Sequence, residues 1–403
     1  MASRTRSRAP TLVLKPGRER SLRQRHPWIF SGAVATVDGA PTSGDTVDVL
    51  AADGAFLARA AYSPSSQIRA RAWTFATTEA VDAAFFARRV QQAAAARAGM
   101  LDTRHTGCRL VHGESDGLPG VIADRYGETV VVQLSSAGAE RWRDALVVAL
   151  AALPGVACVY ERSDADVRQI EGLSARTGVA HGALPERVLL VEDGLAYRID
   201  VAHGQKTGFY LDQRDSRASV RSLAAGREVL NVFCYTGGFT LAALAGGATR
   251  VLSLDSSGEA LRLARENLAL NPGLAQDRAE WRDADAFAEL RRLRDAGAAF
   301  DLIVLDPPKF APTAQHAERA ARAYKDVNLW ALKLLRPSGL LATFSCSGGV
   351  DAGLFRKIVA GAALDAGADA AVIGHFGAAA DHPVALAFPE GDYLKGLLVR
   401  KRS

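Results

Sequence analysis

The sequence predicts an α/β protein with a β-rich N-terminal domain, a small central α+β domain and a C-terminal, mostly parallel sheet. With 403 residues, the chain is too long for one ordinary domain. Short strand-like runs and glycine turns fill its front, and from about residue 196 apolar strands alternate with amphipathic helices. Apolar residues at 48% and charged residues at 23% exclude a disordered chain.

The N-terminal domain is predicted over residues 11–88, behind a basic tail over residues 1–10. Its strand-like runs are "TLVLKPG", "PWIFSGAVATV", "DTVDVLAADGAFLARAAYS" and "QIRARAWTF". Gly17, Gly39, Gly44 and the pair Asp53-Gly54 separate them. This pattern is typical of a small, mainly β domain.

The central domain is predicted over residues 89–194. A helical run, "AVDAAFFARRVQQAAAARAGM", leads into strands "CRLVHGES" and "PGVIADRYGETVVVQLS". A second helix around "AERWRDALVVALAAL" and strands "VACVYER" and "RVLLVED" follow. The order predicts a compact α+β module.

The C-terminal domain is predicted over residues 195–403. Its alternation of strand and helix runs through "REVLNVFCYT", "FTLAALAGG", "ATRVLSLDSS", "GEALRLARENLALN", "FDLIVLDPP", "DVNLWALKLLRPSG" and "LLATFSCS". This alternation predicts a doubly wound sheet, in which ligands bind at the carboxyl ends of the strands.

Positive charge is concentrated at the front of the chain. Residues 1–26 contain eight Arg and Lys against one acid, Glu19, whereas the whole chain has a net charge of +5. A basic patch beside His26-Pro27-Trp28 favours contact with a polyanion such as nucleic acid, although a solvated terminus would show the same pattern. The candidate RNA contacts are Arg18, Arg20, Arg23, Arg25 and Trp28.

Four cysteines lie far apart with no CxxC spacing and no accompanying histidine cluster, so the sequence predicts neither a metal site nor disulfides. No run of about 18 apolar residues indicates a membrane span. The basic N-terminus has no apolar segment behind it. We therefore expect a reduced, cytoplasmic protein.

A glycine motif after a strand, "VLNVFCYTGGFT", predicts a ligand site. Gly237 and Gly238 let a ligand approach the backbone and the N-terminus of the following helix. The next strand ends in Asp255, which suits ribose hydroxyls, and a third strand ends near Asp283 and Asp285. The three elements indicate an adenosine-containing ligand, either NAD or S-adenosylmethionine.

The segment "DPPKF", Asp306 to Phe310, favours S-adenosylmethionine over NAD. Pro307 and Pro308 make a stiff turn without N–H donors, suited to presenting carbonyl groups and an aromatic ring to a planar group. A D/N-P-P element after the fourth strand resembles the target-base loop of class I methyltransferases. The alternative is a strand-terminating turn.

The chain resembles the RlmI family of bacterial 23S ribosomal RNA cytosine-C5 methyltransferases. The resemblance rests on "LKPGRERSLRQRHPWIFSGAV", "HGQKTGFYLDQRDSR", "NVFCYTGGF", "LDSS", "VLDPPKF", "TFSCSG" and "FPEGDYLKG" in that order. It implies an N-terminal RNA-binding PUA-like domain, a central α+β domain and a C-terminal Rossmann-like class I methyltransferase sheet. The implied partner is 23S ribosomal RNA or a large-subunit assembly intermediate, and a homodimer stays open.

The resemblance also implies a cofactor site for S-adenosyl-L-methionine. Its methionine end would meet "TGFYLDQR", with Thr207 and, more weakly, Arg214 as further candidates; an Asp212–Arg214 ion pair is the structural alternative. The candidate cofactor residues are Tyr210, Asp212, Gln213, Asn231, Phe233, Tyr235, Gly237, Gly238, Asp255, Ser256 and Asp285.

Cys346 is the candidate nucleophile because it follows an apolar strand at the predicted ligand edge. C5 of cytosine is a poor nucleophile, and addition of a thiolate at C6 raises its electron density. Related RNA 5-methylcytosine enzymes often carry a second cysteine in the "DPPKF" position, which this chain lacks. Asp306 is then the nearest acid to serve as a base, and the alternative is that it orients the cytosine amino group. The candidate substrate contacts are Pro307, Pro308, Lys309 and Phe310, with a solvated loop charge as the alternative for Lys309.

Three alternatives stay open. A base N-methyltransferase would share the fold and the "DPPKF" loop but would need no thiol. A non-catalytic ribosome-assembly factor would use the basic front and leave the glycine motif vestigial. A nicotinamide oxidoreductase would have no use for Cys346 or Asp306.

Overall fold

The computed structural model describes residues 9–310 and 317–402. The chain forms two compact units. The first unit comprises Met1–Val191, Ile199–Phe209 and Asp381–Gly391, and the second comprises Glu192–Arg198, Tyr210–Ala380 and Asp392–Ser403. Most of the predicted basic tail, residues 1–8, lies outside the described residues.

The first unit begins with a six-stranded sheet in the order β2-β6-β5-β4-β1-β3. Neighbouring strands are antiparallel except β1 and β4. Apolar residues alternate along these strands, so that Leu12, Leu14, Val47 and Val49 form a core. The strands are β1 (Thr11–Leu14), β2 (Trp28–Phe30), β3 (Val34–Asp38), β4 (Thr46–Leu50), β5 (Phe56–Tyr62) and β6 (Ile68–Thr74), with helix α1 (Arg20–Arg23) between β1 and β2.

A five-stranded sheet in the order β11-β10-β9-β8-β7 completes the first unit. Its strands are β7 (Gly107–His112), β8 (Val121–Tyr126), β9 (Thr129–Leu134), β10 (Cys158–Ser163) and β11 (Arg176–Gly182). Its helices are α2 (Ala83–Ala96), α3 (Ala137–Arg141), α4 (Arg143–Ala151) and α5 (Val167–Ile170). Asp82 caps α2 by accepting a hydrogen bond from the Phe85 N–H at 2.8 Å, and the helix buries Phe85, Phe86 and Val90.

A two-stranded sheet of β12 (Val188–Glu192) and β13 (Leu195–Ile199) follows along the chain. Two segments of the predicted C-terminal domain, Ile199–Phe209 and Asp381–Gly391, belong to the first unit. The predicted boundaries at residues 89 and 195 remain predictions.

The second unit is built on a seven-stranded sheet in the order β16-β15-β14-β17-β18-β20-β19. All neighbours are parallel except β20, which runs antiparallel to both β18 and β19. The strands are β14 (Glu228–Val232), β15 (Arg250–Asp255), β16 (Ala279–Asp283), β17 (Phe300–Leu305), β18 (Leu335–Ser345), β19 (Ala370–Phe376) and β20 (Lys395–Lys401). The predicted α/β class, with a β-rich front and a Rossmann-like C-terminal sheet, is confirmed.

Helices cover this sheet. They are α6 (Arg214–Leu223), α7 (Gly238–Ala245), α8 (Gly258–Ala269), α9 (Ala286–Asp295), α10 (Ala317–Leu334) and α11 (Ala352–Ala366). Residues of α9, α10 and α11 share one core cluster with Leu230, Ile303 and Leu341. On the other side Phe239 of α7 contacts Phe344 of β18, with ring centroids 5.6 Å apart. Each buried Leu or Phe contributes roughly 1.5–3 kcal/mol to this packing.

Parallel strands β14, β15, β17 and β18 end at one edge of the sheet. This edge therefore collects the glycine motif, Asp255, Asp306 and Cys346, which the sequence predicted at strand ends. Among the described residues, no helix combines the length and apolarity that a membrane span requires.

Candidate active site

The loop between β14 and α7 has an unusual backbone. Phe233, Tyr235 and Gly237 have φ values of 63°, 48° and 84°. A non-glycine residue in this region costs roughly 1–3 kcal/mol and is found mainly at functional sites. The Cys234 N–H donates to the Leu254 carbonyl at 2.9 Å, which fixes the loop beside β15. The second glycine, Gly238, begins α7 and so exposes a helix N-terminus at the sheet edge.

Asp255 holds this loop with both carboxylate oxygens. Oδ2 accepts from the Tyr235 N–H at 2.8 Å and Oδ1 from the Ser257 N–H at 3.0 Å. Each oxygen has a second lone pair, so the fixed carboxylate retains capacity for ribose hydroxyls. Ser256 beside it is exposed.

Asp285 is exposed and caps α9 by accepting from the Ala288 N–H at 2.9 Å. Capping explains this residue without a ligand. Its contact with adenine stays a prediction.

Asn231 is buried in β14, 1% exposed. Its Nδ2 donates to Thr240 Oγ1 at 2.9 Å, and Thr240 in turn bonds Ser253 Oγ at 2.7 Å. The Oδ1 atom of Asn231 has no hydrogen-bond partner among the described residues. The side chain thus ties the strand to α7 and retains an acceptor.

The segment Tyr210–Gln213 lies at the same site. Gln213 is buried and donates from Nε2 to Asp306 Oδ1 at 3.0 Å, while its Oε1 has no partner in the described part of the chain. Asp212 is buried and accepts from the Tyr393 hydroxyl at 2.5 Å. Tyr210 packs edge-on against Tyr235, with ring centroids 5.5 Å apart.

Several charged groups of the site act on the Tyr210 hydroxyl. Burial raises the pKa of Tyr210, and negative charge on Asp306, Tyr235, Cys346 and Asp212 raises it further. Gln213 contacts Asp306, and the parallel neighbours β17 and β18 lead into Asp306 and Cys346, so the predicted cofactor residues and the predicted nucleophile lie at the same edge of the sheet.

An Asp212–Arg214 ion pair stays the structural alternative, and Arg214 also lies beside Glu192. Arg214 Nε lies 3.6 Å from Glu192 Oε2, and the same carboxylate also forms an ion pair with Arg217. Thr207 belongs to the first unit, where its hydroxyl donates to Asp124 Oδ2 at 2.6 Å.

These residues fit an adenosine-containing cofactor. The fixed carboxylate of Asp255, the buried acceptor atom of Gln213 and the strained loop at Tyr235 are features that a bound ligand would use. In the described part of the chain no group of three or more His, Cys, Asp or Glu is arranged to hold a metal ion.

The "DPPKF" loop is only partly open to solvent. Pro307 is buried, whereas Pro308 and Lys309 are exposed. The Phe310 ring contacts the rings of Tyr324, Phe287 and Phe233, with centroids 4.9, 6.1 and 6.4 Å away. Packing thus accounts for Phe310 in this structure, and stacking on a base stays a prediction.

Cys346 differs from the other three cysteines in being half-exposed. Cys108, Cys158 and Cys234 are buried. Burial raises the pKa of Cys158, and burial together with the Asp255 carboxylate raises that of Cys234. A buried thiol of raised pKa is a poor nucleophile, so Cys346 is the candidate that substrate can reach.

The Cys346 loop is clamped on both sides. Ser347 bonds the Tyr324 hydroxyl at 2.9 Å, and Lys395 Nζ donates to the carbonyls of Ser347 and Val350 at 2.8 and 2.6 Å. Lys395 lies opposite Ser345 in the antiparallel pair of β20 and β18.

Burial lowers the pKa of the Lys395 ammonium, and Lys309 adds to this effect, whereas the charge of Cys346 opposes it. Lys395 thus binds the main chain at Ser347, the residue that follows Cys346. Tyr393 and Lys395 lie within "FPEGDYLKG" but were not predicted as site residues. A lysine and a tyrosine within a motif were the only signals available.

The predicted RNA contacts fall into two groups. Arg18, Arg20, Arg23 and Arg25 are exposed in and around α1. Trp28 is half-buried, and its Nε1 donates to Glu114 Oε1 at 2.8 Å. RNA contact by these residues stays a prediction.

Two family models match the chain. Residues 12–75 match a PUA-like domain, and residues 169–356 match an S-adenosylmethionine-dependent methyltransferase. Both matches agree with the domain types that the RlmI resemblance implied, and S-adenosylmethionine as the cofactor is confirmed.

Curated relatives decide the family. The chain is 51% identical over 393 residues to ribosomal RNA large subunit methyltransferase I of Shewanella denitrificans, covering 96% of this chain and 98% of the relative. It is 52% identical to the protein of the same name from Klebsiella pneumoniae, over 98% and 99% of the two chains. The chain belongs to the ribosomal RNA large subunit methyltransferase I family.

Solved structures support the fold of this family member. A structure titled as a SAM-dependent methyltransferase from Streptococcus mutans matches with a TM-score of 0.83 at 21% identity, over 97% of this chain and 99% of that one. A methyltransferase structure complexed with SAH matches with a TM-score of 0.84 at 22% identity over the same shares. The similarity extends through both units.

Proposed function

We propose that the chain forms 5-methylcytosine in 23S ribosomal RNA of the large subunit, with Cys346 as the nucleophile. Support for the RNA comes from the relatives, which are named for methylation of large-subunit ribosomal RNA. Support for the chemistry comes from one observation above all. The half-exposed residue Cys346 follows β18, whose neighbours are β17, which leads into Asp306, and β20, which begins with Lys395 opposite Ser345.

The reaction requires C5 of cytosine to become nucleophilic. Bound S-adenosylmethionine supplies an electrophilic methyl group. The Cys346 thiolate would add to C6, and the electron pair of the C5–C6 double bond would let C5 take the methyl group; the sulfur–methyl bond of the donor would break, and its electron pair would leave with S-adenosylhomocysteine. A base then removes the C5 proton, the C5–C6 double bond forms again and the C6–S bond breaks.

Lys395 would favour the thiolate form. Its ammonium is fixed by two carbonyl bonds and acts on Cys346 across a partly desolvated site, where charge attraction is stronger than in water. Attack requires the thiolate, so a nearby fixed cation raises the reactive fraction at neutral pH.

Asp306 is the proposed base, and Gln213 orients it. Gln213 Nε2 donates a hydrogen bond to Asp306 Oδ1 at 3.0 Å. The described "DPPKF" residues contain no second cysteine, so product release would depend on the carboxylate. Pro307, Pro308 and Lys309 would line the substrate side of this acid.

A cellular test separates the proposal from its alternatives. Ribosomal RNA from cells with and without the gene is mapped by mass spectrometry, and the deletion is complemented with wild type, Cys346→Ala or Cys158→Ala. We expect one 5-methylcytosine in large-subunit RNA to disappear on deletion and to return with wild type and Cys158→Ala only. Cys158 is the matched control because it is a buried cysteine in the first unit.

Other outcomes are decisive as well. Full methylation by Cys346→Ala would eliminate cysteine catalysis, and a lost methyl group on an exocyclic nitrogen would favour the base N-methyltransferase. A cytoplasmic location and a homodimer stay predictions.

A further inference from the structure

The first unit contains a cavity of about 320 Å³ that lies outside the site described above. Its lining includes Arg25, Phe75, Glu114 and Phe388. This volume lies at the small end of the range for ligand sites, about 300–1,000 Å³. The cavity therefore suits a group of the size of one nucleobase or nucleoside.

Arg25 at the cavity has a strained backbone. Its φ is 67°, and its N–H donates to the Leu22 carbonyl at 2.9 Å just after α1. Glycine is the default residue at such a helix end, since it has no Cβ. An arginine at this φ lowers stability relative to glycine, which favours a binding role for its side chain.

The Arg25 side chain is exposed and lies over an aromatic ring. Its guanidinium carbon is 5.0 Å from the centroid of the Phe75 ring. This pairing holds the planar guanidinium at the cavity wall, where it can stack on a base or contact a phosphate.

Further lining residues come from the segment Asp381–Gly391. Phe388 packs edge-on against Trp28, with ring centroids 4.8 Å apart. Between the lining residues Ala385 and Ala387, the side chain of Leu386 is fully exposed. The aromatic rings at the cavity favour a planar ligand that can pack against them.

Glu114 adds a carboxylate, which accepts hydrogen bonds, to the cavity lining. Its Oε1 already accepts from the Trp28 indole, and a carboxylate has further lone pairs for an amino group. Carboxylates accept from exocyclic amino groups of bases and repel phosphates. The lining also includes Arg89 and Glu79, which pair with each other at 3.2 Å. The walls thus combine aromatic faces with the Arg25 guanidinium and the Glu114 carboxylate as the charged groups outside that pair.

We propose that this cavity binds one unpaired nucleobase of the substrate RNA, stacked in the cavity beside Phe75 and Phe388, with Arg25 at the adjoining backbone. The proposal rests on the proposed function only in taking RNA as the ligand. The charge of the chain agrees with it, because eight Arg and Lys face one acid in residues 1–26. Stacking contributes roughly 1–3 kcal/mol per base, which corresponds to at least about fivefold in affinity.

Filter binding of a 23S transcript to the full chain tests the proposal. Ala387→Trp fills the cavity, and Arg25→Gly removes the guanidinium while suiting the backbone. We expect each to weaken binding about tenfold without lowering the melting temperature. Ala95→Trp on the exposed face of α2 and Ala40→Gly, at a φ of 47°, are the matched controls.

Photo-crosslinking identifies the group that is bound. Transcripts containing 4-thiouridine or 6-thioguanosine crosslink through the base, and we expect the labelled peptides to contain Phe75 or Phe388. Binding equal to the controls in both variants, or base crosslinks confined to other peptides, would overturn the proposal. If the cavity binds RNA but no 5-methylcytosine forms, the proposed function fails and the cavity proposal stands.

Discussion

Three arginines of the first unit form close ion pairs with carboxylates, whereas at the carboxyl edge of the second unit's sheet two buried amide oxygens have no hydrogen-bond partner among the described residues. The matched pairs are Arg71–Glu171 at 2.9 Å, Arg97–Asp116 at 2.8 Å and Arg109–Asp124 at 2.8 Å. At the sheet edge, Gln213 Oε1 and Asn231 Oδ1 have no partner among the described residues. The same edge contains the positive-φ residues Phe233 and Tyr235.

This difference separates stability from binding. Removing one member of a buried ion pair strongly lowers the unfolding free energy, because its partner is left buried and charged. Strained residues and buried atoms without hydrogen bonds lower the stability of the sheet edge. A ligand that supplies hydrogen bonds there can restore this stability. Substitutions in the first group should therefore change unfolding, and those in the second should change binding.

The largest expected effect is on Glu171. Its carboxylate accepts from Arg71, from Ser63 Oγ at 2.7 Å and from the Ala137 N–H at 3.1 Å, and its side chain is 1% exposed. Glu171→Gln leaves the Arg71 charge buried without a counter-ion. We expect about 3–5 kcal/mol less unfolding free energy in urea, with S-adenosylmethionine affinity of the folded protein unchanged.

Acid should weaken the same network. Burial alone would raise the pKa of Glu171, but Arg71 and the bonds from Ser63, Ser66 and Ala137 lower it below the usual 4.5. The folded pKa is depressed, so this stabilisation is present above pH 4.5 and is lost as the pH falls through the folded value. The control is Glu318→Gln, an exposed partner of Arg322, with an expected change under about 1 kcal/mol. If Glu171→Gln lowered the unfolding free energy by no more than Glu318→Gln does, the comparison would be refuted.

The sheet and its ligand edge were predictable because they depend on local patterns. Apolar runs alternating with amphipathic helices require parallel strands, and parallel strands end together, which brings Asp255 and Asp306 to one edge. Such patterns are visible within windows of about 10–20 residues.

Contacts between distant segments were not predictable. Arg71 pairs with a glutamate 100 residues away, and Tyr393 reaches Asp212 across 181 residues. Lys395 contacts Ser347 only because β20 inserts antiparallel beside β18, and no spacing within the sequence sets that register. Likewise Ile199–Phe209 and Asp381–Gly391 read as parts of one domain but belong to the first unit.

A smaller effect is expected at the strained loop. Tyr235→Gly removes the penalty of a φ of 48° and also the ring contact with Tyr210, so the unfolding free energy should change by less than about 1 kcal/mol. Titration calorimetry should show S-adenosylmethionine affinity reduced about tenfold. Ala40→Gly, at nearly the same φ, should leave affinity unchanged. Tight binding by Tyr235→Gly would mean that the strain has no part in the site.

The smallest effect sharpens the comparison within a single strand. Lys395 and Lys401 both lie on β20, both donate to main-chain carbonyls, and burial lowers the pKa of both. Only Lys395 has Cys346 among the charges that act on it. Attraction is mutual, so Lys395→Met should raise the thiol pKa.

The measurement is the pH profile of kcat/KM for RNA methylation. For Lys395→Met we expect its acid limb to move up by about one pH unit, with activity recovering at alkaline pH. Lys395→Arg should restore the profile because the positive charge remains, whereas Lys401→Met should change stability alone. Equal shifts in the two Met variants would mean that β20 supports the loop only by packing, and that the ammonium has no electrostatic part in activating Cys346.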